Sequence, residues 1–76
     1  MTFVESLGVA LRQHRNKKKM SQMDIAAAAD MERSSISAIE NGRYGISMNT
    51  FLRLCEGLEE DPAKVLDTAL KRMRQK

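Results

Sequence analysis

Apolar residues recur at three- and four-residue intervals in five stretches of this chain, the spacing that puts them on one face of a helix. Val4, Leu7 and Leu11 mark the first stripe and predict a helix over about 3–17, with Thr2 as its N-cap. Ser21 opens a second helix, about 22–29. Asp24 stands three residues further on as a variant capping box, and Ile25, Ala26 and Ala29 form the inner face. The run Asp30-Met31-Glu32 then breaks the pattern: Asp30 tolerates left-handed backbone, and Met31 is the apolar plug expected to point inward. A third helix, about 33–41, buries Ile36 and Ile39 and stops at Gly42. After a loop over 43–47, Ser47 caps a fourth helix at about 48–57, with Met48, Phe51, Leu52, Cys55 and Leu58 as apolar positions. Asp61-Pro62, a capping carboxylate before proline at the first helical position, starts a fifth helix at about 62–73. Its stripe is Leu66, Ala69, Leu70 and Met73. The expected fold class is all-α: a compact five-helix bundle forming a single domain over residues 1–76.

Residues 22–39 carry a more restrictive pattern. Two helices that meet near a right angle over a short turn need a small residue where their axes come closest, and Ala26 occupies that fifth position of the unit. Ile25, Ala29, Met31, Ile36 and Ile39 fill its fourth, eighth, tenth, fifteenth and eighteenth positions, all of which should be apolar. That is the spacing of a helix-turn-helix, whose second helix fits the DNA major groove. The other faces of this second helix carry Arg33, Ser34, Ser35, Ser37, Ala38 and Asn41, small or hydrogen-bonding groups suited to close approach to another surface.

Charge supports this reading mainly through its distribution. The net charge is +3. Residues 12–19 (RQHRNKKK) hold five basic groups and no acid, and the tail KRMRQK at 71–76 holds four more. Acids concentrate in EGLEED at 56–61, so a basic side and an acidic side are expected, and such a molecule orients on a polyanion. With 42% hydrophobic residues and 4% aromatic ones, the core is small, which favours self-association. The single cysteine, Cys55, excludes an intramolecular disulfide and a cysteine-rich zinc site, and it reads as a buried structural thiol. His14 has no second ligand nearby in the chain, and no metal or other cofactor is expected. No segment has the length of a membrane span or a signal-peptide core, so a cytoplasmic location is expected. The lone His, the lone Cys and the serines of the third helix lack an orienting group, an oxyanion site or a glycine-rich phosphate loop. Catalysis is therefore not expected.

The stretch MSQMDIAAAADMERSSISAIENG resembles the DNA-binding domain of the phage-repressor and Cro type, the XRE family, and the resemblance spans roughly 3–70. Within that family, MERSSISAIENG with a short loop and Ile46-Ser47 is similar to the controller proteins of restriction–modification systems. Two departures stand out: Asp30 occupies a position where glycine is common, and Tyr44-Gly45 replaces a frequent Arg-Asn. The resemblance implies a lambda-repressor-like fold and roles at matching positions. Gln22 would bind a phosphate at the start of the second helix. Arg33 and Ser34 would read base edges, with weaker contacts from Ser35, Ser37 and Ala38. Asn41 and Arg43 would hold the backbone. Tyr44 stays open between a core-edge aromatic and a phosphate ligand. Arg15 and Glu40 would form a buried or half-buried structural ion pair between the first and third helices.

One recognition helix reads half an operator, so the implied protein is a homodimer on a palindromic double-stranded operator with half-sites about 34 Å apart. Ile46, Met48, Phe51, Leu52, Leu66 and Met73 are the candidate dimer contacts, and periodicity does not say which of them pack inside the monomer. The controllers further imply autoregulation, with RNA polymerase as a candidate further partner; no membrane or small-molecule ligand is implied. A phage-type repressor, an antitoxin-like regulator and a helical protein-binding adaptor are the alternatives. The adaptor would need an exposed apolar groove where the third helix is polar.

Overall fold

Five helices follow one another in the computed structural model, which describes residues 1–74: α1 (Phe3–Lys17), α2 (Gln22–Ala29), α3 (Arg33–Glu40), α4 (Met48–Leu58) and α5 (Pro62–Arg74). The last two residues of the basic tail, Gln75 and Lys76, lie outside the described residues. Side chains start the helices as the sequence suggests. Thr2 and Glu5 form a capping box on α1, and Ser21 and Asp24 form another on α2. Ser47 Oγ accepts from the Thr50 N–H, and Asp61 Oδ1 accepts from the Ala63 N–H at 2.9 Å. Asp30 ends α2 in the left-handed region (φ 56°, ψ 52°), which closes the tight turn into α3. Only α3 begins without a side-chain cap: its N-cap residue Glu32 makes no such bond, and the helix is held by what packs behind it.

α1 packs against α5 on one side and α3 on the other, while α2 packs against α3 and α4. Leu7, Leu11, Ile25, Ile36, Ile39, Phe51, Leu54, Leu58 and Val65 fill the space between them with alanines at the closest approaches. Each such aliphatic or aromatic side chain contributes about 1.5–3 kcal/mol on burial. Gly8 sets the distance from α1 to α3. A Cβ there would collide with the carbonyl oxygens of Ile39 and Glu40, the latter at 2.8 Å, so the C-terminal turn of α3 rests directly on α1 backbone. The expected small residue Ala26 is buried at the α2–α3 crossing, and Met31 packs partly buried against the core.

The faces of α4 and α5 differ from expectation. The buried seam of α4 is Phe51, Leu54, Cys55 and Leu58, whereas Met48 and Leu52 are exposed. On α5 the seam is Val65 and Ala69; Leu66 is half-buried, and Leu70 and Met73 are exposed. α1 packs along this side of α5, where Ser6, fully buried, donates to the Ala69 carbonyl. Val4, placed on the α1 stripe, is only half-buried.

Candidate nucleic-acid interface

α3 turns Ile36, Ile39 and Glu40 inward and leaves a polar outer face. Residues 33, 34, 37, 38 and 41 recur at one, three and four positions, so they share that face. Arg33, Ser34, Ser37, Ala38 and Arg43 line one shallow depression, which brings together five of the residues expected to contact DNA. Ser35 does not line it and is half-buried. Asn41, expected inside the helix, is its C-cap, with its amide nitrogen 3.4 Å from Ser37 Oγ.

Behind this face lies a buried carboxylate. Arg15 grips Glu40 with two N–H groups, Nε to Oε2 at 2.7 Å and Nη2 to Oε1 at 2.9 Å, and gives Nη1 to the Met20 carbonyl. The expected ion pair is therefore present, and the Glu40 side chain is only 3% exposed. Gln22 Nε2 donates to the same carboxylate at 3.1 Å. That turns the amide nitrogen inward rather than toward a phosphate, and it leaves Gln22 Oε1 to accept from Arg33 Nη1 at 3.3 Å. A chain of side chains, Arg15–Glu40–Gln22–Arg33, thus runs from the interior to the N-terminal end of α3 and restrains the Arg33 guanidinium. Burial pushes the Glu40 carboxyl up, but hydrogen bonds from Arg15 and Gln22 and the charges of Arg15 and Arg12 outweigh it and hold it below its ordinary value. The hydrogen bond to Glu40 raises Arg15 in turn, against the opposing effect of its burial.

The basic run 12–19 does not form one free cationic surface opposite the acids. Arg15 is consumed in the core, and Lys18 Nζ lies 3.4 Å from the Glu59 carbonyl and 4.0 Å from Glu60 Oε1. The acidic segment folds back onto the end of α1, because the α4–α5 turn ends there. His14 is a pin at the same junction, its Nε2 3.0 Å from Thr68 Oγ1 and its Nδ1 3.3 Å from Glu60 Oε1. Two arginines, Arg12 of the basic run and Arg53, make contacts that the sequence does not mark. Arg12 Nη2 donates to Asn41 Oδ1 at 3.0 Å. Arg53 Nη2 donates to the carbonyls of Ala29 and Asp30 at 2.7 and 2.9 Å, satisfying the C-terminal end of α2 at the turn into α3. Neither lies on an apolar stripe, and each acts on residues distant in the chain, so no local spacing marks it.

Of the candidate dimer residues, Phe51 belongs to the monomer core at 3% exposed, where no partner reaches it. Met48, Leu52 and Met73 are exposed, and Ile46 and Leu66 are half-buried. Tyr44 is 47% exposed and, with Phe3, Val4 and Ile46, edges a small apolar groove between the start of α1 and the α3–α4 loop. Among the described residues, no helix is long and apolar enough to cross a membrane.

Known proteins share this fold. The clp gene regulator ClgR from Corynebacterium glutamicum superposes with a TM-score of 0.95 at 29% identity, covering 100% of this chain and 99% of that one. The restriction–modification controller protein C.AhdI from Aeromonas hydrophila superposes with a TM-score of 0.79 at 27% identity, over 82% of this chain and 94% of that one. In sequence, the ImmF control region 10 kDa protein of Bacillus phage phi105 is 38% identical over 50 residues, 66% of this chain. The match spans about half of that curated relative, 56% of its length. Residues 6–67 match the family described as "Helix-turn-helix domain", a stretch running from the first turn of α1 into α5. With the inward pattern of α2 and α3 and the polar outer face of α3, this establishes an XRE-type, DNA-binding regulatory domain, and the chain belongs to the helix-turn-helix domain family.

Proposed function

We propose that this protein is a sequence-specific regulator of transcription that binds palindromic double-stranded DNA as a homodimer. The observation that carries the reading is the depression uniting Arg33, Ser34, Ser37, Ala38 and Arg43 at the polar outer face of α3. Arg33, its guanidinium restrained by Gln22, pairs with a guanine edge, and Ser34 with the base beside it. Ser37 and Ala38 approach the groove floor, while Asn41 and Arg43 meet the backbone and Gln22, bonded to Glu40 and Arg33, positions the arginine. Exposed Met48, Leu52 and Met73 supply the apolar contact between copies, with Ile46 and Leu66 at its margin. The domain acts in the cytoplasm and is not an enzyme.

The finer reading is the autoregulatory controller of a restriction–modification system, favoured by the likeness to C.AhdI. Such a protein activates its own promoter when scarce, through contact with RNA polymerase, and represses it when abundant. A phage-type repressor is favoured in turn by the 38% match to the phage control-region protein. Selection of duplexes from a random pool tests the common core of both readings. A two-fold symmetric site should emerge, Arg33→Ala should relax preference at one position of each half-site, and affinity should fall steeply with salt. Failure to bind any duplex at low salt refutes it.

A further inference from the structure

Glu40 is one carboxylate between two guanidinium groups. Arg15 commits all three of its nitrogens, two to Glu40 and one to the Met20 carbonyl, and its side chain is 12% exposed. That pair is already neutral. Arg12 stands further off, its Nε 3.5 Å from Glu40 Oε1, with 42% of its side chain in solvent. Its Nη2 donates to Asn41 Oδ1 at 3.0 Å and to the Glu40 carbonyl at 3.4 Å, and among the described residues its Nη1 has no hydrogen-bond partner. Arg12 is therefore a surplus cation, fixed at the surface by the end of α3, with donors to spare.

Its location says what it meets. The Arg12 side chain runs from the carboxylate oxygen that also receives Gln22, the first residue of α2, to Asn41, the C-cap of α3. Asn41 at its tip, and Ser37 beyond it against the Asn41 amide nitrogen, are neutral hydrogen-bonding groups continuous with the polar face of α3. A planar fork with free N–H groups, held beside such neighbours, matches the oxygens of a phosphate.

We infer that Arg12 is a ligand for a DNA backbone phosphate at the C-terminal end of the recognition helix, delivered from α1 and aimed by Glu40 and Asn41. The inference rests on the duplex-DNA reading above. In the complex, Arg12 and Asn41 grip the backbone together, fixing how far along the groove α3 sits without reading any base.

The test compares the parent protein with Arg12→Gln and Arg12→Lys on a mixed-sequence duplex of about 24 base pairs over a salt titration. Loss of one phosphate contact makes the plot of log affinity against log salt shallower by about 0.9 per bound chain. Equivalently, the parent's advantage over Arg12→Gln shrinks about 3.5-fold per chain between about 50 and about 200 mM salt. Arg12→Lys keeps the parental slope. A purely structural Arg12 would lower the melting temperature and the affinity of Arg12→Gln with no change of slope, and that result overturns the assignment. A second measurement needs no variant fold: in the parent, the Arg12 Nε–H resonance shifts when the duplex is added and returns as salt is raised. A resonance that does not move overturns the inference as well. If the parent binds no duplex, the regulator reading falls and Arg12 with it. If the parent binds with the slope of Arg12→Gln, only the Arg12 assignment is lost.

Discussion

Glu40→Ala should remove a large part of the stability margin of this domain. The substitution removes a carboxylate that is 3% exposed and strands Arg15, 12% exposed, against the core residues Leu11, Ile25, Ile36 and Leu58. Breaking one side of such a pair costs about 3–5 kcal/mol, because the remaining charge stays desolvated. A domain of 76 residues has a total stability of about 4–11 kcal/mol. At about 4–8 °C per kcal/mol, a loss of about 3 kcal/mol lowers the melting temperature by about 12–24 °C. Thermal and urea unfolding followed by circular dichroism measures it. The double variant Arg15→Met/Glu40→Leu should be more stable than Glu40→Ala alone, since apolar side chains of similar volume replace the stranded charge. A loss below about 1 kcal/mol for Glu40→Ala, the range of a solvated surface pair, would refute the claim that this pair locks α1 to α3. The pH dependence follows from the same contacts. The folded state holds the Glu40 carboxyl below its ordinary value of 4.5, so its stabilisation is complete above that value and is lost as the pH falls through the lower folded one. Melting temperature should therefore decline as acid is added below about pH 4.5, and Glu40→Gln should lack that part of the decline.

Gly8→Ala should destabilise by about 1–3 kcal/mol despite alanine's better helix propensity, because the added methyl meets the Ile39 and Glu40 carbonyls; a raised melting temperature would contradict the close α1–α3 approach. Glu59→Gly should raise stability by about 0.5–1 kcal/mol in urea titrations, because Glu59 ends α4 at φ 56° where a side chain is strained; a loss of stability would refute the strain. The Cys55 thiol, 0% exposed, is pushed up to about 11 by burial, aided by the negative charges of Asp61 and Glu60. It should react with a disulfide reagent at neutral pH only after denaturant is added, and rapid reaction in the folded state would show an opening that the packing does not provide.

Periodicity and capping determined much of this molecule by themselves. Ser21 with Asp24, Ser47, Asp61 with Pro62, and Asp30 at the turn mark the helix ends, because caps and turns are satisfied by residues within four positions. The outward run of Arg33, Ser34, Ser37 and Ala38 was legible for the same reason, since a helix of known phase fixes which positions share a face. Tertiary contact decided the rest. Both α4 and α5 have more apolar positions than one face can bury; on α5, Val65 and Ala69, not Leu70 and Met73, lie on the side that α1 covers, where Ser6 bonds the Ala69 carbonyl. Phe51 left the list of dimer contacts by the same kind of choice. The roles of Gln22, Arg12 and Arg53 depend on partners 18, 29 and 24 residues away, and the basic run lost its apparent unity when Arg15 met Glu40. Long polar side chains reach whatever the fold brings near them, and only the packed helices say what that is.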